Sequence, residues 1–181
     1  SGNGPVSYGN LTFPQLAAVI CFLGVVILRS YSGMVQDFPW KEELAGSTWF
    51  LVCAVVLGKM AGGFLADRIG VAQAAQRSMC AAAAGFICLM YPLTGILGIF
   101  CWNMSMPLTL WAVSRMFPGA KGFGFGLLTF GLFLGFCPVY LAGAGIRTGG
   151  AAEAAASPVG MAVMAILSMV LLTWGIRQVR E

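Results

Sequence analysis

Residues 47–70 read STWFLVCAVVLGKMAGGFLADRIG, and this stretch shows how the chain is built. An apolar run of about 20 residues, the length that an α-helix needs to cross a bilayer, ends in Asp67, Arg68 and the turn former Gly70. A backbone in lipid must satisfy its own hydrogen bonds, so the run predicts a transmembrane helix. The charged end predicts a polar loop after it.

The same alternation of apolar runs and polar turns continues along the chain. Apolar runs cover residues 13–34, 47–65, 78–93, 96–116, 123–144 and 159–176. Hydrophobic residues make up 59% of the chain and charged residues 9%, against about 45–50% and about 25% in soluble domains. The sequence therefore predicts an all-α membrane protein with six transmembrane helices. Residues 1–12 would form a polar lead-in and residues 13–181 the six-helix bundle.

Basic residues are concentrated in one set of alternating loops. The other set holds only Lys41 and Arg147. Cytoplasmic loops are enriched in Lys and Arg, so this asymmetry predicts that both termini are cytoplasmic. Trp40, Trp49 and Trp174 lie near predicted helix ends, where indole rings often occupy the membrane interface. The basic set consists of Arg68, Arg77, Arg115, Lys121, Arg177 and Arg180.

Several classes of function are disfavoured by the composition. The chain has no histidine, and its six cysteines lie singly in apolar runs without metal-ligand spacing. The formal charge of +4 is scattered, so no nucleic-acid partner is expected. No paired carboxylates or activated nucleophile occur at predicted membrane depth. We therefore expect neither an enzyme nor a metal or cofactor site, and proton-coupled transport would need a carboxylate from another protein domain.

Two cations are predicted inside the membrane, where charges are costly and usually face a cavity or a partner. Arg29 lies about 24 Å along the first helix, and Asn103 lies about 10 Å into the fourth from the other side. Both fall in the outer half of the bilayer, where they could bind an anion, and Lys59 is a further candidate for solute contact. Alternatively, Arg29 extends to the outer interface and pairs with Asp37 or Glu42.

Glycine and proline mark positions of close packing and of helix distortion. The chain has 25 glycines, and Gly58 and Gly62 have the spacing at which two helices approach closely. Pro107 and Pro138 lie inside predicted helices, where each removes a backbone hydrogen bond. We therefore predict close helix packing at the glycines and kinks at the prolines.

Gly63, Asp67, Arg68 and Gly70 have the spacing G-x-x-x-D-R-x-G between the second and third helices. This pattern resembles the cytoplasmic loop motif of the major facilitator superfamily. The resemblance implies that the glycine permits close helix contact, while the acidic residue and the arginine bind adjacent elements and latch one conformation. These four residues would then form a conformational switch. After Gly70, valine and alanine stand where that family usually has basic residues.

Two further segments are similar to the C-terminal half of fosmidomycin-resistance-type drug exporters. They are LRSYSGM at 28–34 and the stretch 106–131, which begins MPLTL and ends RMFPGAKGFGFGLLTFG. Such transporters contain two six-helix halves inserted in the same orientation. The resemblance implies one half of a facilitator-type bundle in a bacterial inner membrane. Its partners would be the lipid bilayer, a small organic solute and a second six-helix half, either a sister copy or a separate chain.

Two functions follow from these patterns. The first is a secondary transporter half that moves a small solute, an anion if Arg29 binds it, by alternating access together with a second half. The second is a membrane subunit that transports nothing and uses its glycine-rich faces to dock and stabilise a larger membrane complex. A wet cavity at Arg29 and Lys59 would favour the first, and a buried partner contact would favour the second.

Overall fold

The computed structural model describes residues 13–42, 47–143 and 150–180, and α-helix is the regular structure of that part. The polar lead-in 1–12 and Arg147 lie outside the described residues. The helices are α1 (Phe13–Val35), α2 (Ser47–Ile69), α3 (Val71–Ile87), α4 (Pro92–Asn103), α5 (Ser105–Met116), α6 (Lys121–Gly143), α7 (Ala151–Ala156) and α8 (Pro158–Arg180).

Five helical segments are long and apolar enough to cross a membrane. They are Phe13–Val35, Thr48–Ile69, Pro92–Met116, Lys121–Gly143 and Pro158–Val179. Each has at least 22 residues, and so measures at least about 33 Å. Because each can cover the hydrocarbon core and satisfy its own backbone hydrogen bonds, the prediction of an all-α membrane protein is confirmed.

The third helix differs from its prediction in position and length. α3 begins at Val71, directly after Gly70, and ends at Ile87, whereas the apolar run covers 78–93. Gly70 has φ 86°, a backbone conformation that glycine adopts without steric cost, so the chain reverses at once. Pro92 opens α4, and Arg77, predicted in a loop, lies on α3. With 17 residues, α3 is about 25 Å long.

α2 runs parallel to the segment formed by α4 and α5. A Cβ added at Gly58 would collide with the Phe100 carbonyl, and one added at Gly62 would lie 2.7 Å from the Met104 carbonyl oxygen. The residue numbers at the contacts increase in the same direction along both helices, so the two helices are parallel. Since α3 connects the end of α2 to the start of α4, it runs in the opposite direction to both.

α1 and α6 form a second parallel pair with the same construction. A Cβ added at Gly131 would lie 2.7 Å from Leu23 Cδ1, and one added at Gly135 would lie 2.6 Å from Ser30 Cβ. The Ser30 hydroxyl also donates to the Leu132 carbonyl at 2.7 Å. Each pair therefore uses two glycines four residues apart, as is typical of close helix contacts in membranes.

These contacts relate the first three long helices to the last three. In this relation α1 corresponds to the segment α4–α5, α2 to α6, and α3 to α8. The contact of α1 with α6 therefore has its counterpart in the contact of the segment α4–α5 with α2. α3 and α8 pack against each other in antiparallel directions, with Cys80 Sγ 3.4 Å from Met169 Sδ. The described bundle thus contains two similar three-helix units that begin in opposite directions.

Residues 36–42, which follow α1, fold back onto the bundle at the end predicted to be outer. Trp40 is only 4% exposed, and its Nε1 donates to the Leu89 carbonyl at 3.0 Å. The indole covers Gly95 and the α3–α4 turn, so Trp40 packs against the bundle and its ring is not on the surface. Trp49 and Trp174 are exposed at 75% and 40%, as an interfacial position requires.

The predicted proline distortion appears at one of the two prolines. The helix from Pro92 to Met116 is interrupted at Met104, between α4 and α5. The ring of Pro107 crowds the carbonyl four residues earlier, that of Asn103, which explains an interruption at this point. Pro138, in contrast, lies inside α6 without a break in the helix.

Candidate functional site

Arg29 lines a cavity between α1, α5 and α6. The cavity has a volume of about 70 Å³, room for a few water molecules or a small ion. Thr109 and Thr129 contribute hydroxyl groups, and the remaining wall is apolar, including Val26 and Leu128. The cavity is open on one side, because its lining residues Leu110, Phe125, Thr129 and Leu132 are exposed.

The Arg29 guanidinium has a buried nitrogen that lacks a partner. Nη1 is buried and forms no hydrogen bond with any described residue. A guanidinium remains charged in proteins and carries five N–H donors, so an unsatisfied one in an apolar bundle is costly. Asp37 and Glu42, the carboxylates predicted as alternative partners, form no ion pair with it in the described part of the chain.

The backbone at Arg29 is held against α4 by a chain of hydrogen bonds. The Ser32 hydroxyl donates to the Arg29 carbonyl at 3.0 Å. The same hydroxyl oxygen accepts a hydrogen bond from Trp102 Nε1, also at 3.0 Å. Ser32 and Trp102 are both buried. This network fixes the C-terminal third of α1 and therefore fixes the point from which the Arg29 side chain extends.

Two of the residues that line the cavity are threonines, and their hydroxyl groups bond to backbone carbonyls of their own helices. Thr109 Oγ1 donates to the carbonyls of Ser105 and Met106, at 3.1 and 2.8 Å. Thr129 Oγ1 donates to the Phe125 carbonyl at 3.0 Å. Because each hydroxyl has a single proton, both oxygens are left as acceptors. The cavity wall thus includes one cationic residue and two threonines whose oxygens retain acceptor capacity.

Asn103 and Lys59 are not among the residues that line this cavity. Asn103 Nδ2 donates to the Ile99 carbonyl at 2.9 Å, and its Cβ lies where α4 contacts Gly58. Lys59 follows Gly58 on α2, is exposed, and has no ion pair in the described ranges. The structure therefore does not bring Arg29, Asn103 and Lys59 together within this bundle.

The four residues of the loop motif lie at the junction of α2 and α3. Asp67 and Arg68 are exposed, and Arg68 stacks over the ring of Phe64 at 4.8 Å. Asp67 accepts no hydrogen bond from any other residue that the structure describes. A Cβ added at Gly63 would lie 4.0 Å from Pro107, an ordinary contact, so the close helix approach is made by Gly62 instead.

Thr129 is one of the cavity residues that the sequence did not reveal. It is one threonine within an apolar, glycine-rich helix, and its hydroxyl can satisfy itself on the helix backbone. Nothing in the sequence distinguishes it from a threonine that faces lipid. Its position opposite Arg29 depends on the parallel packing of α1 and α6.

No protein-family model, curated protein or solved structure matches this chain.

Proposed function

We propose that this chain is one half of a secondary transporter of the major facilitator type. It moves a small anionic organic solute by alternating access around a cavity shared with a second six-helix half. The observation that carries this proposal is the buried and unpaired Nη1 of Arg29, a residue that lines a cavity within an apolar bundle. An intramembrane charge usually marks a substrate or ion pathway.

The direction of the helices supports a half of this type. α3 returns between two parallel segments, so it would be a sixth crossing in spite of its 17 residues. Two three-helix units that begin in opposite directions match the inverted repeats found within each half of such transporters. In this arrangement both termini lie on one side, which the positive-inside rule assigns to the cytoplasm. A bacterial inner membrane is the proposed location.

The surfaces of α2 and α6 give the second half a place to dock. These two helices bury the smallest fractions of their residues among the five long segments. α6 lines the cavity, and α2 packs against α5, which also lines it, so a second half packed against both helices would close the open side. Large exposed side chains on them include Trp49, Phe50, Leu57, Met60 and Phe64 on α2 and Phe123, Phe130, Phe133 and Tyr140 on α6.

The cavity chemistry defines the solute more closely. The solute's negative group would bind the Arg29 guanidinium, for which a carboxylate has matching geometry. The threonine oxygens accept hydrogen bonds, so the solute should also carry a hydroxyl or amine donor. We therefore expect a hydroxy or amino acid to bind better than the same acid without the donor group.

The remaining predicted residues receive roles that depend on the second half. Asn103 and Lys59 would contact solute where the second half completes the shared cavity. Gly63, Asp67, Arg68 and Gly70 would form the conformational switch at the inner end. Asp67 is exposed and has no hydrogen-bond partner in the described chain, so it is available to a helix of the second half.

The proposal is tested by binding of lactate and propionate, which differ in one hydroxyl group. Thermal unfolding of the purified chain in detergent is followed with increasing concentrations of each acid. We expect both to stabilise the protein and lactate to bind more tightly. Arg29→Gln should weaken binding of both at least about 30-fold, because loss of a charge-assisted bond commonly costs about 2 kcal/mol or more.

Arg115→Gln is the matched control. Arg115 is exposed and stacks over Trp111 at 5.3 Å, away from the cavity. Its removal should leave the affinity for lactate unchanged. Equal affinities of the wild type and Arg29→Gln would remove Arg29 from the solute site and contradict the proposal.

A docking subunit without transport activity is the second candidate. The uncovered faces of α2 and α6 fit this function equally well, since they would bind any apolar helical partner. A wild-type chain that no small acid stabilises, and that purifies only with another membrane protein, would favour the docking subunit over the transporter half.

A further inference from the structure

We propose that the groove between α3 and α8 at the inner end binds the phosphate group of an anionic phospholipid. The site consists of Arg77 and Gln73 on α3 and Arg177 on α8, with Trp174 beside them. It lies on the helix pair α3/α8, away from the Arg29 cavity, and it does not depend on the transport proposal.

The register of α3 and α8 brings these side chains to one groove. The two helices are antiparallel and meet where Cys80 Sγ lies 3.4 Å from Met169 Sδ. Arg77 and Gln73 precede Cys80 by three and seven residues, so they share its face of α3. Arg177 follows Met169 by eight residues and shares the corresponding face of α8. The three side chains therefore line the groove from Cys80 towards the inner end.

All three side chains are exposed and available. Arg77, Arg177 and Gln73 form no hydrogen bond or ion pair with the residues that the structure describes. Asp67, the acidic residue at this end of α2, is exposed and forms no ion pair with either arginine. Two like charges with no counter-ion in one groove repel each other, and an anion bound between them would relieve this repulsion.

The depth of the site corresponds to the level of lipid headgroups. Arg77 lies six residues after the start of α3, or about 9 Å along the helix. From there its long side chain can extend to the membrane surface while its methylene groups remain in the apolar region. Trp174 lies six residues before the end of α8 and is 40% exposed, so it marks the same interface.

The surface further along the groove is apolar, which selects a lipid rather than a free phosphate. The exposed residues Val163, Ile166, Leu167 and Val170 cover the outward face of α8 beyond the arginines. Acyl chains can lie on this face while the phosphate reaches Arg77 and Arg177. An arginine binds phosphate oxygens through two parallel N–H bonds, which suits it to this contact.

The test uses dioleoylphosphatidylglycerol added to the purified chain in detergent. Dioleoylphosphatidylcholine and inorganic phosphate serve as comparison ligands, and thermal unfolding gives the apparent affinity. We expect the anionic lipid to stabilise the wild type, with phosphatidylcholine weaker and inorganic phosphate without effect. Arg77→Gln/Arg177→Gln should bind the anionic lipid about 25-fold more weakly, about fivefold for each arginine.

The control is Arg115→Gln/Lys121→Gln, which removes the same charge from exposed positions on α5 and α6. This variant should keep the wild-type affinity for the lipid. An equal loss of affinity in both double variants would reduce the effect to general charge attraction and overturn the site. Stabilisation by inorganic phosphate equal to that by the lipid would overturn the assignment to a phospholipid.

Discussion

The Arg29 guanidinium would favour binding of an anionic solute, but it lowers the stability of the bundle. Its buried Nη1 has no partner among the described residues, and a charge costs about 2.5–3.5 kcal/mol at the centre of a membrane-spanning helix and less towards its end. The Ser32–Trp102 network keeps the backbone in place whatever side chain stands at this position. The same guanidinium that would bind an anionic solute therefore destabilises the empty bundle.

We expect Arg29→Met to raise the stability of the purified chain by about 2 kcal/mol, because methionine fills a similar volume without the charge. Chemical unfolding in detergent measures the change. Arg115→Met, at an exposed position, should alter stability little. If Arg29→Met unfolds more easily than the wild type, the guanidinium is satisfied in the native protein and its role as an open anion site is excluded.

At this scale the sequence identified the charge but not its surroundings. Arg29 is recognisable because it interrupts an apolar run. Its neighbours Thr109 and Thr129 come from α5 and α6, and their approach depends on how three helices pack. The predicted partner Asn103 has the right depth, yet its position around the helix directs it towards Gly58 and the Ile99 carbonyl.

Among the helices, the contact between α2 and α5 leaves no room for an added side chain at Gly62. A Cβ at Gly62 would lie 2.7 Å from the Met104 carbonyl oxygen and 2.9 Å from Pro107 Cγ. Backbone atoms cannot move aside as a flexible side chain can. Gly62→Ala should therefore separate the helices and destabilise the bundle by about 1–3 kcal/mol.

Gly126→Ala is the matched control, since a Cβ at Gly126 would meet nothing within 4 Å. It should change stability by no more than about 0.5 kcal/mol. Both variants are compared by thermal unfolding in the same detergent. Equal effects would show that the cost arises from alanine in a glycine-rich helix and not from the α2–α5 contact.

The elements differ in how far the sequence predicts them. Long apolar runs predicted α1, α2, α6 and α8, since lipid requires unbroken helices there. Pro107 predicted the interruption in the fourth run. The sequence misplaces the start of α3 because Gln73, Gln76 and Arg77 lower its apolar character. The opposite face of α3 is rich in alanine and is buried in the core.

For the whole molecule, the decisive question is whether α3 crosses the membrane. If it does, the α1–α2 loop and the α3–α4 turn lie on one side, and the α5–α6 loop lies on the other. Pro39→Cys, Met90→Cys and Gly119→Cys place thiols at exposed positions in these three connections.

The thiols are introduced one at a time into a variant without the native cysteines, and a membrane-impermeant maleimide labels intact cells. We expect Pro39→Cys and Met90→Cys to react and Gly119→Cys to react only after the membrane is opened. Labelling of Pro39→Cys and Gly119→Cys from the same side would show that α3 does not cross. It would also remove the basis for a six-helix half.

The two glycine pairs have a consequence for how the bundle can change shape. Where α1 meets α6, and where α2 meets α4 and α5, glycines bring the helix backbones together. Such interfaces contain few side chains that can change rotamer, so each helix pair moves as a rigid body. Side chains that can reorient are found between the two helix pairs, where Arg29 of one pair faces Met106 and Thr109 of the other. A ligand bound between the two helix pairs would therefore set the angle between them.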